Sequence, residues 1–245
     1  MPVSVDFLTI YSESFIINHT QCRFDSTLKY IDLCTIFQLV CANHSVLGGV
    51  GIKEMNEINQ AWILNKMRIQ IRELPSLEDE VLITSWVEEI GGKKSIRKME
   101  MFKNGISIAE ASTLWVVVNT KERKIEDLKL PYQHYDLSLF KERKKEIFQK
   151  IKFPNNLTLK SSRKVVVSDL DTVNHVNNLK YLEWCFDLFS PTSIQNKNIS
   201  KIEINYKKEM HWNDTADIYI GYQDKTGFFK IKNRDETCFS MSVTI

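Results

Sequence analysis

The sequence predicts an α+β fold in two similar halves, each a helix followed by antiparallel strands. Three observations carry this. Each half holds one stretch with apolar residues at helical spacing. Runs of period-two alternation, broken by turn residues, follow each helix. Glycine (8) and proline (5) are too scarce in 245 residues to build long flexible linkers.

In the first half, Asp25 or Ser26 can cap a helix running to about Ala42. Leu28, Ile31, Cys34, Phe37, Leu39 and Cys41 give it a broad apolar face. Gly48, Gly49 and Gly51 read as a turn. In the strand that follows, Trp62 and Leu64 lie on one side and Met67, Ile69 and Ile71 on the other. The apolar face therefore changes sides near Lys66, as at a bulge. Val81, Ile83, Ser85 and Val87 alternate in the next strand. Gly91-Gly92 reads as a hairpin turn and Asn104-Gly105 as a stronger one, before the strand Ile106 to Val118.

The second half starts with a strand at Arg163 to Val167 and a helix from about Asn177 to Phe189, with Pro191 just past its end. Strands follow near Ile199 to Trp212, Thr215 to Tyr222, Phe228 to Lys232 and Thr237 to Ile245, with a turn at Asp224 to Gly227. The predicted organisation is a first domain over 1–125, a connection over 126–160 and a second domain over 161–245. An isolated helix-on-sheet unit leaves an open sheet edge, and pairing two units covers it. The connection carries Lys141, Arg143, Lys144, Lys145, Lys150 and Lys152 against Glu142 and Glu146. It reads either as a solvated linker face or as a docking patch for an acidic partner.

A net charge of +2 is too small to argue for nucleic acid. The longest purely apolar runs, such as Leu114 to Val118, are too short for a membrane span. Met1 to Ile10 has no basic segment ahead of its apolar residues, so no cleaved signal is expected. The five cysteines are scattered, with no CxxC or Cys/His cluster. Neither a disulfide framework nor a metal centre nor a cofactor is expected, and a reducing, cytoplasmic compartment is.

The segment richest in chemistry is Ser168-Asp169-Leu170-Asp171-Thr172-Val173-Asn174-His175-Val176-Asn177-Asn178, continuing to Trp184. It lies between a strand and a helix start, where backbone N–H groups point outward and can stabilise a carbonyl oxygen under attack. Asp171 is near enough in sequence to His175 to meet it across a tight turn and fix its tautomer. The same residues also suit a plainer role, with Asp and Asn capping a helix and His closing a turn.

SDLDTVNHVNNLKYLEW resembles the second-domain motif of plant and bacterial acyl-acyl-carrier-protein thioesterases, through His175, Val176, Asn177, Asn178, Lys180, Tyr181 and Trp184. Ala61-Trp62-Ile63-Leu64, Arg72-Glu73-Leu74-Pro75, Thr84-Ser85-Trp86 and Ala111 to Val118 resemble first-domain strands of that family. The likeness covers most of the chain in order, with the connection least matched. It implies two fused hotdog domains and hydrolysis of fatty acyl thioesters on acyl carrier protein. A fused pair can satisfy the hotdog pairing within one chain, so a monomer or a homodimer is compatible with the sequence.

The resemblance assigns catalytic roles to Asp171 and His175, with Glu209 as the later acid that activates water. Amides of Val176 and Asn177 would hold the oxyanion. Two positions depart from the pattern. The family Asn falls on Val173, leaving adjacent Asn174 as either its substitute or a turn residue. The plant Cys after the acid is Met210, which cannot attack a thioester. Strict alternation would place Glu209 with Asn205 and Lys207 on a surface face, unless a bulge intervenes. Phe37, Trp62, Trp86 and Trp115 can line an acyl groove or simply pack a core. Arg143, Lys144 and Lys145 are candidates for steering the acidic carrier. An acyl-CoA thioesterase and a non-catalytic acyl-binding protein are the alternatives.

Overall fold

The computed structural model describes residues 3–140, 146, 148–195 and 198–245. In chain order, the first half contains β1 (Ile10–Ile16), α1 (Tyr30–Leu47), α2 (Ile52–Glu57), β2 (Gln60–Ile71), β3 (Glu80–Gly91), β4 (Lys94–Lys103), β5 (Ile106–Asn119) and the short β6 (Lys124–Ile125). The second contains β7 (Thr158–Lys164), α3 (Asn178–Phe186), α4 (Pro191–Gln195), β8 (Lys201–Tyr206), β9 (Thr215–Gln223), β10 (Thr226–Asn233) and β11 (Glu236–Thr244). The chain forms two compact units. The first comprises 1–65 and 71–147, and the second 66–70 and 148–245.

In the first unit the strand order is β1-β3-β4-β5-β2, with β6 on β5. Helix α1 packs on β1, β3 and β4, burying Leu33, Cys34, Ile36, Phe37 and Val40. It is long and apolar enough to pass for a membrane span, but these side chains are covered by its own sheet. The helix begins at Tyr30, later than the sequence suggests. Asp25 and Ser26 do not cap it: Asp25 Oδ1 accepts the Thr27 amide at 3.1 Å, and Ser26 is left-handed with φ 63°. Leu28 N–H donates to the Pro75 carbonyl at 2.8 Å, so the preceding residues are held in extended pairing. The helix runs past Ala42 and ends at Gly48.

The side-switch in β2 is present, with Leu64 buried before it and Met67, Ile69 and Ile71 after it. Asn104 (φ 52°) and Gly105 (φ 76°) both take the left-handed values that a tight hairpin between β4 and β5 needs. Part of the expected connection is core. Leu128 and Tyr135 pack with Val50, Met55, Val87, Ile90 and Val117. Glu146 accepts from Lys98 at 2.5 Å and Ser112 at 3.0 Å. Arg143, Lys144 and Lys145 lie outside the described residues.

The proposed groove residues are packed within this unit. Phe37 is fully buried, and Trp86 stacks on Phe140 with ring centroids 5.8 Å apart. Trp62 Nε1 donates to the Val50 carbonyl and Trp115 Nε1 to Thr113 Oγ1.

The second unit orders its strands β8-β11-β10-β9-β7, with residues 66–70 paired to β8. Its helix is shorter than the sequence suggests. Leu188 and Phe189 donate to the carbonyls of Cys185 and Phe186, a tightened last turn, and Pro191 opens a new short helix. Tyr181 on α3 stacks on Phe239 of β11 at 5.3 Å, and Trp184 is buried beside it. Two further boundaries differ from expectation. The first strand of this half ends at Lys164, and Val167 begins a single helical turn. Strand β8 ends at Tyr206 instead of running to Trp212, because Lys207 and Lys208 both donate to one carbonyl, that of Cys238, at 2.8 and 3.2 Å. Two residues facing one break the ladder as a bulge does.

Candidate active site

The loop from Val165 to Asn177 is built on one buried carboxylate. Asp169, 2% exposed, accepts the Val166 amide at 2.9 Å and pairs with Arg163 at 3.4 Å. Arg163 lies over the Trp184 ring, 4.6 Å from its centroid. The charge is thus paired and hydrogen-bonded, as burial requires. The Asp169 carbonyl accepts the Asn177 amide at 2.8 Å, and Asn177 Oδ1 caps α3 by accepting from Leu179 at 2.9 Å.

Asp171 closes the tip of the loop. Its Oδ1 accepts the amides of Val173 at 3.0 Å and His175 at 3.1 Å. Its own amide donates to the His175 carbonyl at 2.8 Å. The expected contact from this carboxylate to the imidazole is replaced by contacts to the backbone that carries the imidazole. Asn174 sits at the crest, exposed and left-handed with φ 64°. Asn tolerates that conformation better than most residues, which fits Asn174 to the turn-residue role.

The two amides expected to hold an oxyanion are both committed elsewhere. Val176 donates to the Met210 carbonyl at 2.9 Å and Asn177 to the Asp169 carbonyl. An N–H already spent on a carbonyl is not a free donor, so this assignment is corrected.

The structure does bring Glu209 to His175. The bulge at Lys207 and Lys208 interrupts alternation just before Glu209, which is half-buried between exposed Lys208 and buried Met210. Glu209 Oε1 then lies 3.6 Å from His175 Nδ1. That is an ion-pair distance, beyond a tight hydrogen bond. Buried Tyr181 faces the backbone of Met210 beside Glu209, and its burial, more than any neighbouring charge, raises its hydroxyl pKa well above the usual value.

His211 also belongs to this cluster, and no sequence motif marks it. Its ring meets that of His175 edge-on, with centroids 4.9 Å apart. Its amide donates to Asp214 Oδ2 at 2.9 Å. The one local signal is the His-x-x-Asp spacing of a turn, which a strand running through to Trp212 would conceal.

Comparison with known proteins gives a consistent answer. The family described as acyl-ACP thioesterase N-terminal domain matches residues 9–132, and the acyl-ACP thioesterase C-terminal domain matches 155–239. A chloroplastic palmitoyl-acyl carrier protein thioesterase of Cuphea hookeriana is 23% identical over 215 residues, 82% of this chain and 52% of that protein. The chain spans about half the length of such curated relatives. A crystal structure of an acyl-ACP thioesterase from Bacteroides thetaiotaomicron superposes with TM-score 0.82 at 22% identity, covering 96% of this chain and 97% of that one. The 12:0-ACP thioesterase from Umbellularia californica gives TM-score 0.84 at 17% identity, covering 96% of each chain. At these identities the structures establish the shared α+β hotdog fold.

Proposed function

The chain belongs to the acyl-ACP thioesterase family, and on that premise we propose that it hydrolyses the thioester of a fatty acyl chain carried on acyl carrier protein. The observation that carries this reading is the 3.6 Å approach of Glu209 to His175, made by residues distant in sequence.

In the proposed reaction, water attacks the thioester carbonyl while the Glu209 carboxylate takes its proton. His175 orients the water or the carbonyl. The new C–O bond forms, the C–S bond breaks, and the proton held by Glu209 passes to the departing sulfur. The products are a free fatty acid and the carrier thiol. Asp171 acts at one remove, by holding the loop that presents His175. Met210, next to the acid, has no nucleophilic thiol, so a covalent cysteine route through that position is excluded.

The partner this reading requires is acyl carrier protein. Five free cysteines, four of them buried, suit a reducing, cytoplasmic compartment, which belongs to the same proposal.

Release of free fatty acid by the purified chain tests the proposal, with acyl-acyl carrier protein and acyl-CoA assayed side by side. Faster release from the carrier-bound substrate is expected. Preference for acyl-CoA would reassign the substrate. Acyl binding without release would make the protein a binder.

A further inference from the structure

We propose that His175, Glu209 and His211 form a binding site for a divalent transition-metal ion of the zinc class, and that its occupation switches the hydrolytic pair off. The inhibitory half rests on the reading of Glu209 as the base. The binding half stands on geometry alone.

One ligand atom from each of the three side chains lies within 4.8 Å of the others. Zinc binds imidazole nitrogen and carboxylate oxygen at about 2.0–2.2 Å, so neighbouring ligands in a tetrahedron sit roughly 3.3–3.6 Å apart. His175 Nδ1 and Glu209 Oε1, at 3.6 Å, already have that separation. His211 has about 1 Å to close at those ligand spacings, and a side chain 53% exposed has the rotational freedom to do so. Two imidazoles and one carboxylate leave a fourth position to water, the pattern of open zinc sites.

Two further features favour the site. His175 and Glu209 are held by the backbone bond between their successors, Val176 and Met210, so little ordering remains for the metal to impose. Behind His211, Asp214 Oδ2 lies 3.9 Å from Nδ1 and accepts the His211 amide. At 3.9 Å the carboxylate is near the imidazole without being hydrogen-bonded to it, so its support to the ligand is electrostatic. The mixed nitrogen and oxygen donors favour zinc, cobalt or nickel over magnesium or calcium, which prefer all-oxygen sites. A bound ion would occupy the carboxylate lone pair that must accept the proton of water.

The test uses the full chain, stripped with chelator and then titrated with Co²⁺ in the absence of substrate. One equivalent should bind saturably, with visible d–d bands that Zn²⁺ abolishes by displacement. His211→Ala should weaken binding tenfold or more without changing the melting temperature by more than a few degrees. Zn²⁺ should inhibit fatty acid release with the midpoint seen in the titration, and EDTA should restore it. Absence of a saturable single equivalent, or affinity in His211→Ala and His175→Gln undiminished from that of the natural chain, would overturn the site. Metal binding by a chain that releases no fatty acid would leave the site standing and sink the hydrolase reading. Release of fatty acid that stays unchanged at a Zn²⁺ concentration saturating the site would overturn the inhibitory half.

Discussion

The backbone amide of Val176 donates to the carbonyl of Met210 at 2.9 Å, and this bond holds His175 beside Glu209. Each of the two side chains precedes one end of it. Glu209→Gln keeps the shape of the side chain and removes its charge. It should cut turnover by about 10²–10⁴, the usual worth of a general base. His175→Ala should do likewise. Steady-state hydrolysis, read beside the melting curve, checks both, and near-normal turnover in folded Glu209→Gln would remove Glu209 from the mechanism.

Asp171 binds two loop amides through one oxygen. Asparagine carries the same acceptor without the charge. Asp171→Asn should therefore retain turnover within a few-fold, while Asp171→Ala loses both bonds, about 1–3 kcal/mol of stability and most of the activity. Equal damage from the two substitutions would mean that the negative charge itself acts in the reaction.

Asn174 is left-handed at the loop crest. Glycine adopts that conformation without strain, so Asn174→Gly should stay active and equally stable. Asn174→Ala should lose about 1 kcal/mol. Denaturant melts and hydrolysis rates measured together decide this, and an inactive but stable Asn174→Gly would restore a chemical role to the amide.

His44 is fully buried on α1, with Nδ1 accepting from Arg97 at 2.8 Å and Nε2 donating to the Leu8 carbonyl at 2.9 Å. Arginine only donates, which sets this tautomer. Burial first, and the Arg97 charge second, push the His44 pKa down to about 3 from 6.5. Below pH 6.5 the unfolded chain takes up a proton that the folded state refuses. The stabilisation is complete above pH 6.5 and is lost as pH falls toward 3, at up to about 1.4 kcal/mol per pH unit. Urea unfolding across pH 4 to 7 should show a shallower slope for His44→Gln than for the natural chain. Parallel slopes would disprove this account.

Local patterns in the chain were legible where they act locally. The side-switch in β2, the Asn104-Gly105 hairpin and the apolar face of α1 follow from short-range periodicity and turn chemistry. Helix ends were misplaced where distant chain intervened. Ser26 reads as a cap until Leu28 is seen bonded to Pro75. Alternation puts Glu209 on the surface, and only the family resemblance marks it. Nothing local marks His211 beyond a turn spacing.

By itself, then, the sequence determined two α+β halves, their principal turns and a chemically dense loop before the second helix. Tertiary structure alone decided which groups of that loop are free to act. Cys238 meeting both Lys207 and Lys208 turned Glu209 toward the imidazole, and carbonyls of Asp169 and Met210 consumed the amides of Asn177 and Val176. The physical reason is that backbone donors and acceptors find partners across the sheet, far along the chain, where periodicity carries no information.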